Sequence, residues 1–274
     1  AVHGLTPGDP AALEEIRRSL QAADPLVRMA AVGALEGIEP QQRVALAGPL
    51  LADPMQVVRI EAARMLAPVD ASALGSYQGA FDRAAAEYVA TLRYTADRPE
   101  ARTALATYFG QRGKIAEAYA EFDGAIALDP GFIPAYVNRA DLARAQGDEA
   151  AAERTLRAGL SQAPSDSSLQ HALGLSLVRQ RRHPEATAAL KRAAQLAPDN
   201  MRYAYVYAVA LSSTSPPAAL AEIDRALRVR PDDRDLLQAG ASIARDAGLD
   251  GSRYLKVLQE RYPRGVGTAA SQTR

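Results

Sequence analysis

The chain of 274 residues contains no cysteine. That excludes a disulfide framework, a thiolate-bound metal, a cysteine nucleophile and covalent haem attachment within these residues. Tryptophan is absent and aromatics reach only 5%, which disfavours a sandwich of aromatic-rich strands. Lysine occurs at Lys114, Lys191 and Lys256 alone, so nearly all positive charge is arginine. Neither sign is in excess, with 32 basic residues against 32 acidic ones. A neutral chain is a poor fit to a dedicated nucleic-acid or anionic-membrane binder. The histidines, His3, His171 and His183, show no metal-ligand spacing, and His183 reads as a solvated turn residue. The longest uncharged run, 203–221, has the length of a membrane span but carries Ser-Ser-Thr-Ser-Pro-Pro, so no span is expected. The chain opens at Ala1 without an apolar leader, which predicts a processed or excised piece of a longer protein.

What the sequence has is a row of prolines. Pro130, Pro164 and Pro198 stand 34 residues apart, and Pro231 and Pro263 follow at 33 and 32. A fixed period near 34 marks a helix–turn–helix repeat rather than one globular core. Aligned on these prolines, small residues recur where two helices must approach: Ala106 with Ala118, Ala140 with Ala152, Gly174 with Ala186, Ala208 with Ala219. Large apolar residues follow at helical spacing, among them Leu105, Phe109, Phe122, Leu156, Leu173, Leu177, Leu190, Leu211 and Ile223. Gly113, Gly147 and Gly248 fall between the two arms, where a left-handed residue ends a helix at low steric cost. Arms are expected near 99–112 and 115–128, 133–146 and 149–162, 167–180 and 183–196, 201–213 and 216–229, and 233–247 and 250–262.

At Ala118, Phe122, Ala125 and Pro130, and again at Ala186, Leu190, Ala193 and Pro198, the phrase resembles tetratricopeptide repeats. Departures from the pattern are Arg139 for an early Leu, Arg181 for the turn Gly, and a shortened Ser-Pro-Pro turn in the fourth repeat. In the fifth, Arg253 stands where a small residue would pack and reads as a solvent-facing cap. A second repeat, offset by 31 residues, lays Leu20–Leu35 over Leu51–Leu66 and pairs Val27 with Val58, Arg28 with Arg59 and Ala31 with Ala62. Its Asp-Pro…Val-Arg…Ala-Ala…Leu phrase is similar to HEAT-like repeats, and helices are expected near 10–21, 26–37, 40–51 and 56–67.

The expected fold is therefore all-α: a right-handed α-solenoid of tetratricopeptide hairpins preceded by a short HEAT-like α-solenoid. The expected organisation is a loose lead-in over 1–8, HEAT-like repeats over 9–68 and a connector over 69–79 rich in Pro, Asp, Ser and Gly. A helix over 80–94 stacks on the first hairpin of the tetratricopeptide solenoid, 80–264. Its repeats lie near 99–132, 133–166, 167–200, 201–233 and 234–264, and 265–274 is a disordered tail. Taken together, RIEAARMLAPV, ADRPEA, YVNRADLARAQG, HALGLSLVRQ and LAPDNMRYAYVYAVAL resemble the C-terminal region of certain bacterial multihaem c-type cytochrome proteins. That resemblance implies export to the periplasm and a place beside a redox domain. No Cys-x-x-Cys-His occurs in this sequence, so haem chemistry is not carried over.

Residues that carry catalysis elsewhere read here as structural. Gly113-Lys114 lacks the earlier Gly and the following Ser or Thr of a phosphate-binding loop. Glu14 and Glu15, and Asp232, Asp233 and Asp235, sit at helix starts, where negative charge is favourable without any catalytic role. The basic corner Arg179, Arg181, Arg182 and His183 reads as solvated. The resemblance to tetratricopeptide repeats points instead to a concave groove lined by the first arm of each hairpin. It places Thr103, Thr107, Val137, Ser168, Val209, Gln238 and Ser242 there, with Asn138, Asp141, Arg144, His171, Arg202 and Tyr205 as the candidate ligand contacts. Tyr203 and Tyr207, on the same helix as Tyr205 but off its face, are expected to pack. Asn138 takes the position of the Asn in the family's two-carboxylate clamp, but Thr103, Ser168 and Ala172 replace the clamp's cations. A buried carboxylate without a cation costs several kcal/mol, so binding of chaperone tails is not expected. The expected function is a non-catalytic protein–protein interaction scaffold that holds a partner segment and forms part of a larger exported, periplasmic protein. The alternative is a structural module of a periplasmic multihaem cytochrome assembly, contacting the haem domain or another subunit; the other compartment is the cytoplasm. No cofactor, metal, nucleic acid or membrane span is expected.

Overall fold

The computed structural model describes residues 10–262, and every regular element in them is helical. The lead-in over 1–8 and the tail over 265–274 lie outside the described residues. The chain packs as two units, one ending at Ala135 and the other starting at Tyr136.

The first unit contains α1 (Pro10–Ser19), α2 (Pro25–Gly33), α3 (Pro40–Ala47) and α4 (Gln56–Leu66), with a 3-10 turn over Gly48–Ala52. α5 (Ala71–Leu74), a second 3-10 turn over Gly75–Tyr77, α6 (Gln78–Tyr94), α7 (Pro99–Gln111) and α8 (Ile115–Leu128) follow. The 31-residue repeat is written in hydrogen bonds. Arg28 donates to the carbonyls of Ala22 at 2.8 Å and Ala23 at 3.0 Å, and forks onto the Asp53 carboxylate at 2.7 and 2.9 Å. Arg59, one repeat on, donates to the carbonyls of Asp53 at 2.8 Å and Pro54 at 3.1 Å and pairs with Glu87 at 2.8 Å. Each arginine thus satisfies the chain entering its own helix and reaches an acid further along the chain, Asp53 after the first 3-10 turn and Glu87 on α6. The forked bond from Arg28 holds the Asp53 carboxyl below the usual carboxylate range despite its burial.

The stretch 69–79 is folded rather than open. Val69 and Leu74 are buried in the same core as Leu35, Leu66 and Phe81. The Tyr77 ring closes over Gly48, its carbons 2.6 Å from where a Cβ would stand. Arg112, at the end of α7, donates to the carbonyls of Ala67 at 3.2 Å and Val69 at 2.8 Å and lies over the Phe81 ring at 4.9 Å. The Pro, Ser and Gly composition announces a chain reversal, but the apolar residues inside it are drawn into the core. α6 packs on α4 as well as on α7.

The second unit begins within α9 (Ile133–Ala145), whose hairpin partner is α10 (Glu149–Gln162), and continues with the hairpin of α11 (Ser167–Arg179) and α12 (His183–Leu196). α13 (Met201–Ser212) pairs with α14 (Pro216–Leu227), and α15 (Arg234–Asp246) with α16 (Ser252–Arg261). Consecutive hairpins nest, α10 on α11, α12 on α13 and α14 on α15. The row of prolines explains the helix ends, since the residue before proline is driven from the helical region. α10 and α12 stop two residues before Pro164 and Pro198.

The inter-arm turn repeats as geometry. Lys114, Asp148, Arg182 and Leu249 each donate their backbone N–H to the carbonyl five residues back, at 2.8–2.9 Å. The residue before each is left-handed: Gly113, Gly147 and Gly248, with φ of 72°, 80° and 67°, and Arg181 with φ of 60°. Arg181 keeps the turn that glycine makes elsewhere, at a steric cost of roughly 1–2 kcal/mol. First arms are capped alike: Asp166, Asn200 and Asp233 each accept the N–H three residues on. His183 opens α12 rather than lying in the turn.

Small residues sit where the arms cross. A Cβ on Gly174 would stand 2.6 Å from Leu190 Cγ, and one on Gly240 would stand 2.8 Å from Tyr254 Cζ. In the last hairpin, therefore, buried Tyr254 takes the packing position, one residue from the expected Arg253. Arg253 covers the Tyr254 ring at 4.7 Å and pairs with Asp224 at 2.7 Å. The basic corner is paired as well: Arg179 with Glu149, and Arg182 with Glu153 at 2.7 Å and Glu185 at 2.6 Å. Burial works to raise the Glu153 carboxyl, but hydrogen bonds from Arg157, Gln180 and Arg182 outweigh it and hold the group at about 2.

Replacing Gly174 by Ala is expected to destabilise the chain by about 1–3 kcal/mol through overpacking, whereas Arg181→Gly should stabilise it by up to about 1 kcal/mol; urea unfolding of both variants checks this. Glu153→Gln should cost up to about 3 kcal/mol at pH 7. Because the folded-state group is depressed, that cost shrinks as pH falls through the usual carboxylate range toward 2, which unfolding curves at several pH values would show.

Candidate functional site

The first arms of the second unit bring most of the candidate residues onto one surface. Helical spacing does this: Val137, Asp141 and Arg144 on α9; Ser168, His171, Ala172, Leu175 and Arg179 on α11; Arg202, Tyr205 and Val206 on α13; Asp235, Gln238, Ala239 and Ser242 on α15. Two concavities lie along that surface. One, of about 520 Å³, is lined chiefly by α9, α11 and the start of α13, and the other, of about 790 Å³, by α13 and α15. Arg202 belongs to both.

Asp141, Arg144, His171 and Arg202 meet in the first concavity, and Arg202 and Tyr205 in the second. Asn138 is half-buried on α9 and lines neither. In the first unit, Thr103 is buried with its hydroxyl unpartnered and offers no contact surface. Tyr205 and Val209 are exposed at 37% and 46%.

Charge is unevenly cancelled here. Arg144 pairs with Asp141 at 3.2 Å, and Arg179 is bound by Glu149, which also accepts from the buried Ser176 hydroxyl at 2.8 Å. Arg202 has no ion pair among the described residues. In the second concavity Asp233 accepts the Leu236 N–H at 3.1 Å, while Asp235 is unpaired. The first recess thus keeps a surplus of positive charge and the second a surplus of negative charge.

His171 is the odd member. It is 8% exposed, stacked on Tyr203 at 4.5 Å, and neither ring nitrogen has a hydrogen-bond partner. Burial, and secondarily the charge of Arg202, push its imidazole down to about 4, so the ring is neutral at ordinary pH. Tyr203, expected only to pack, forms one wall of the first concavity. Arg179 and Asn200 line it too. Their signal in the sequence was the repeat phase, which puts Arg179 at the end of a first arm and Asn200 at the cap of the next. Among the described residues no cluster of metal-ligating side chains occurs, and no helix is long and apolar enough to cross a membrane.

Residues 76–132 and 171–233 match one tetratricopeptide repeat profile and residues 111–175 another. No curated protein matches the sequence. Among solved structures the chain is similar to YrrB, described as a TPR protein with an unusual peptide-binding site, at 16% identity and a TM-score of 0.49. That likeness covers 64% of this chain and 92% of YrrB. It is also similar to MamA, at 16% identity and a TM-score of 0.48, covering 58% of this chain and 91% of MamA. These likenesses carry no weight for function. Tetratricopeptide proteins are generally non-catalytic scaffolds that bind protein or peptide partners.

The unfolded chain takes up a proton at His171 below about pH 6.5 that the folded chain refuses until about pH 4. Folding stability is therefore expected to fall with pH across that window. The decline should exceed that of His171→Phe by up to about 3 kcal/mol. Thermal or urea unfolding of both proteins between pH 7 and pH 4 measures it, and parallel curves would contradict the assignment.

Proposed function

We propose that this chain, whose tetratricopeptide repeats span 76–233, is a non-catalytic interaction scaffold that holds an extended partner segment on the first-arm surface of its second unit. The observation that carries the reading is the join between the two concavities. Four first arms present exposed polar side chains and Tyr205 along one surface, and the unpaired Arg202 stands where the recesses meet. The tetratricopeptide hairpins are rigid supports, so a segment can bind without ordering the surface first, which lowers the entropic cost of association. Tyr205 adds flat apolar area with a polar tip, a frequent energetic anchor in interfaces. In this reading the paired repeats over 9–68 are HEAT-like and serve as a structural extension. The first unit's Arg28 and Arg59 ladder supports it, because the same contacts recur one repeat apart.

Export, and a place beside a haem domain, rest on the sequence resemblance alone. An upstream Cys-x-x-Cys-His motif and export signal in the coding sequence would favour them.

Binding of peptides selected from a random library against the full chain is expected to weaken by about tenfold or more on Arg202→Ala and on Tyr205→Ala. Asn138→Ala should have little effect, since Asn138 lines neither recess. Unchanged binding in both of the first two variants would place the site elsewhere.

A further inference from the structure

Resting on the same surface, we propose that the bound segment is dipolar and lies in one direction, with an acidic side chain at Arg202 on the α11 side and a basic side chain at Asp235 on α15. Arg202 and Asp235 line the second concavity together yet form no ion pair with each other. Two opposite charges that share a recess unpaired are each left to solvent or to a ligand. The neighbouring cations do not compete for the acid, since Arg144 is tied to Asp141 and Arg179 to Glu149.

His171 lines the first recess as well, but both of its ring nitrogens are buried, so Arg202 is the group left there to receive an acid. On the other side Asp233 and Asp235 bring two carboxylates to the first turn of α15, and no arginine other than Arg202 lines that recess. A basic side chain there gains attraction that an acidic one would forfeit.

The register follows from packing. Neighbouring helices lie about 8–10 Å apart, a gap that an extended chain crosses in about three residues. The segment therefore carries its acid and its base about three residues apart, in a fixed order. A like-charged or reversed segment sets its charges against Arg202 and Asp235, so the surface reads direction as well as composition.

The test is a random dodecapeptide library displayed on phage and selected on the full chain, followed by fluorescence-anisotropy titration of the winning peptide. The selected sequences should share an acidic and a basic residue about three positions apart in one order, and the order-reversed peptide should bind at least tenfold more weakly. Arg202→Glu should weaken the winner by tenfold or more and be partly rescued by a peptide whose acid is changed to Lys. Asp235→Lys should behave in the mirror sense, rescued by an acidic residue in place of the base. If the selected peptides lose binding on Tyr205→Ala but forward and reversed orders bind alike, the directional proposal fails while the groove remains the site. If no selected peptide depends on Tyr205 or Arg202, the site assignment fails and the directional proposal with it.

Discussion

Everything in the second unit depends on how closely its helix arms can cross. Where Gly174 meets Leu190 and Gly240 meets Tyr254, no Cβ fits without displacement. Ala140, Ala152, Ala186, Ala208 and Ala219 are likewise buried at crossings. A single hairpin cannot hide its large residues alone, so each leans on the next, and the seam of Leu156, Leu169, Leu190, Ile223 and Leu236 is buried only because neighbours are present. Polar contacts then fix the stacking order. Glu149 binds Ser176 and Arg179 of the next hairpin, Glu153 binds Arg182, and Asp224 binds Arg253 and Tyr254.

That constraint creates the candidate site as a by-product. Second arms spend their faces on packing, and first arms are left with a polar, partly apolar strip facing away from the seam. Charges on the strip are mostly neutralised by short-range partners, at little gain where the pair is exposed. Arg144 and Asp141 are such a pair, with side chains 44% and 62% exposed. What distinguishes the strip is the exceptions, Arg202 and Asp235, which form no ion pair among the described residues.

Much of the fold is legible in the sequence, because its signals are local and periodic. The prolines mark helix ends, the glycines mark left-handed turns, and the arms fall within a few residues of their expected bounds. Arg181 was visible as a departure, and its left-handed φ follows once the turn must match its siblings. Less legible were features set by contacts distant in sequence. The stretch 69–79 reads as a connector from its turn residues, yet Leu74 and Tyr77 are drawn inward by a core and a glycine that lie elsewhere in the chain. In the last hairpin a one-residue shift puts Tyr254, not Arg253, at the crossing, because Gly240 opens room for a ring. For the site, the repeat phase located Asp141, Arg144, His171, Arg202 and Tyr205 on the surface, but not their pairing. Which arginine is cancelled depends on acids from a neighbouring helix, as Glu149 shows for Arg179. Tyr203 packs as expected, but against His171, 32 residues away, a partner that only the nesting of neighbouring hairpins supplies.

The most direct measurement of the account is amide chemical-shift mapping of the full chain on adding a library-selected peptide. Perturbations concentrated on α9, α11, α13 and α15, strongest around Arg202, are the predicted result. Perturbations confined to α10, α12 and α14, with the first arms unmoved, would contradict it.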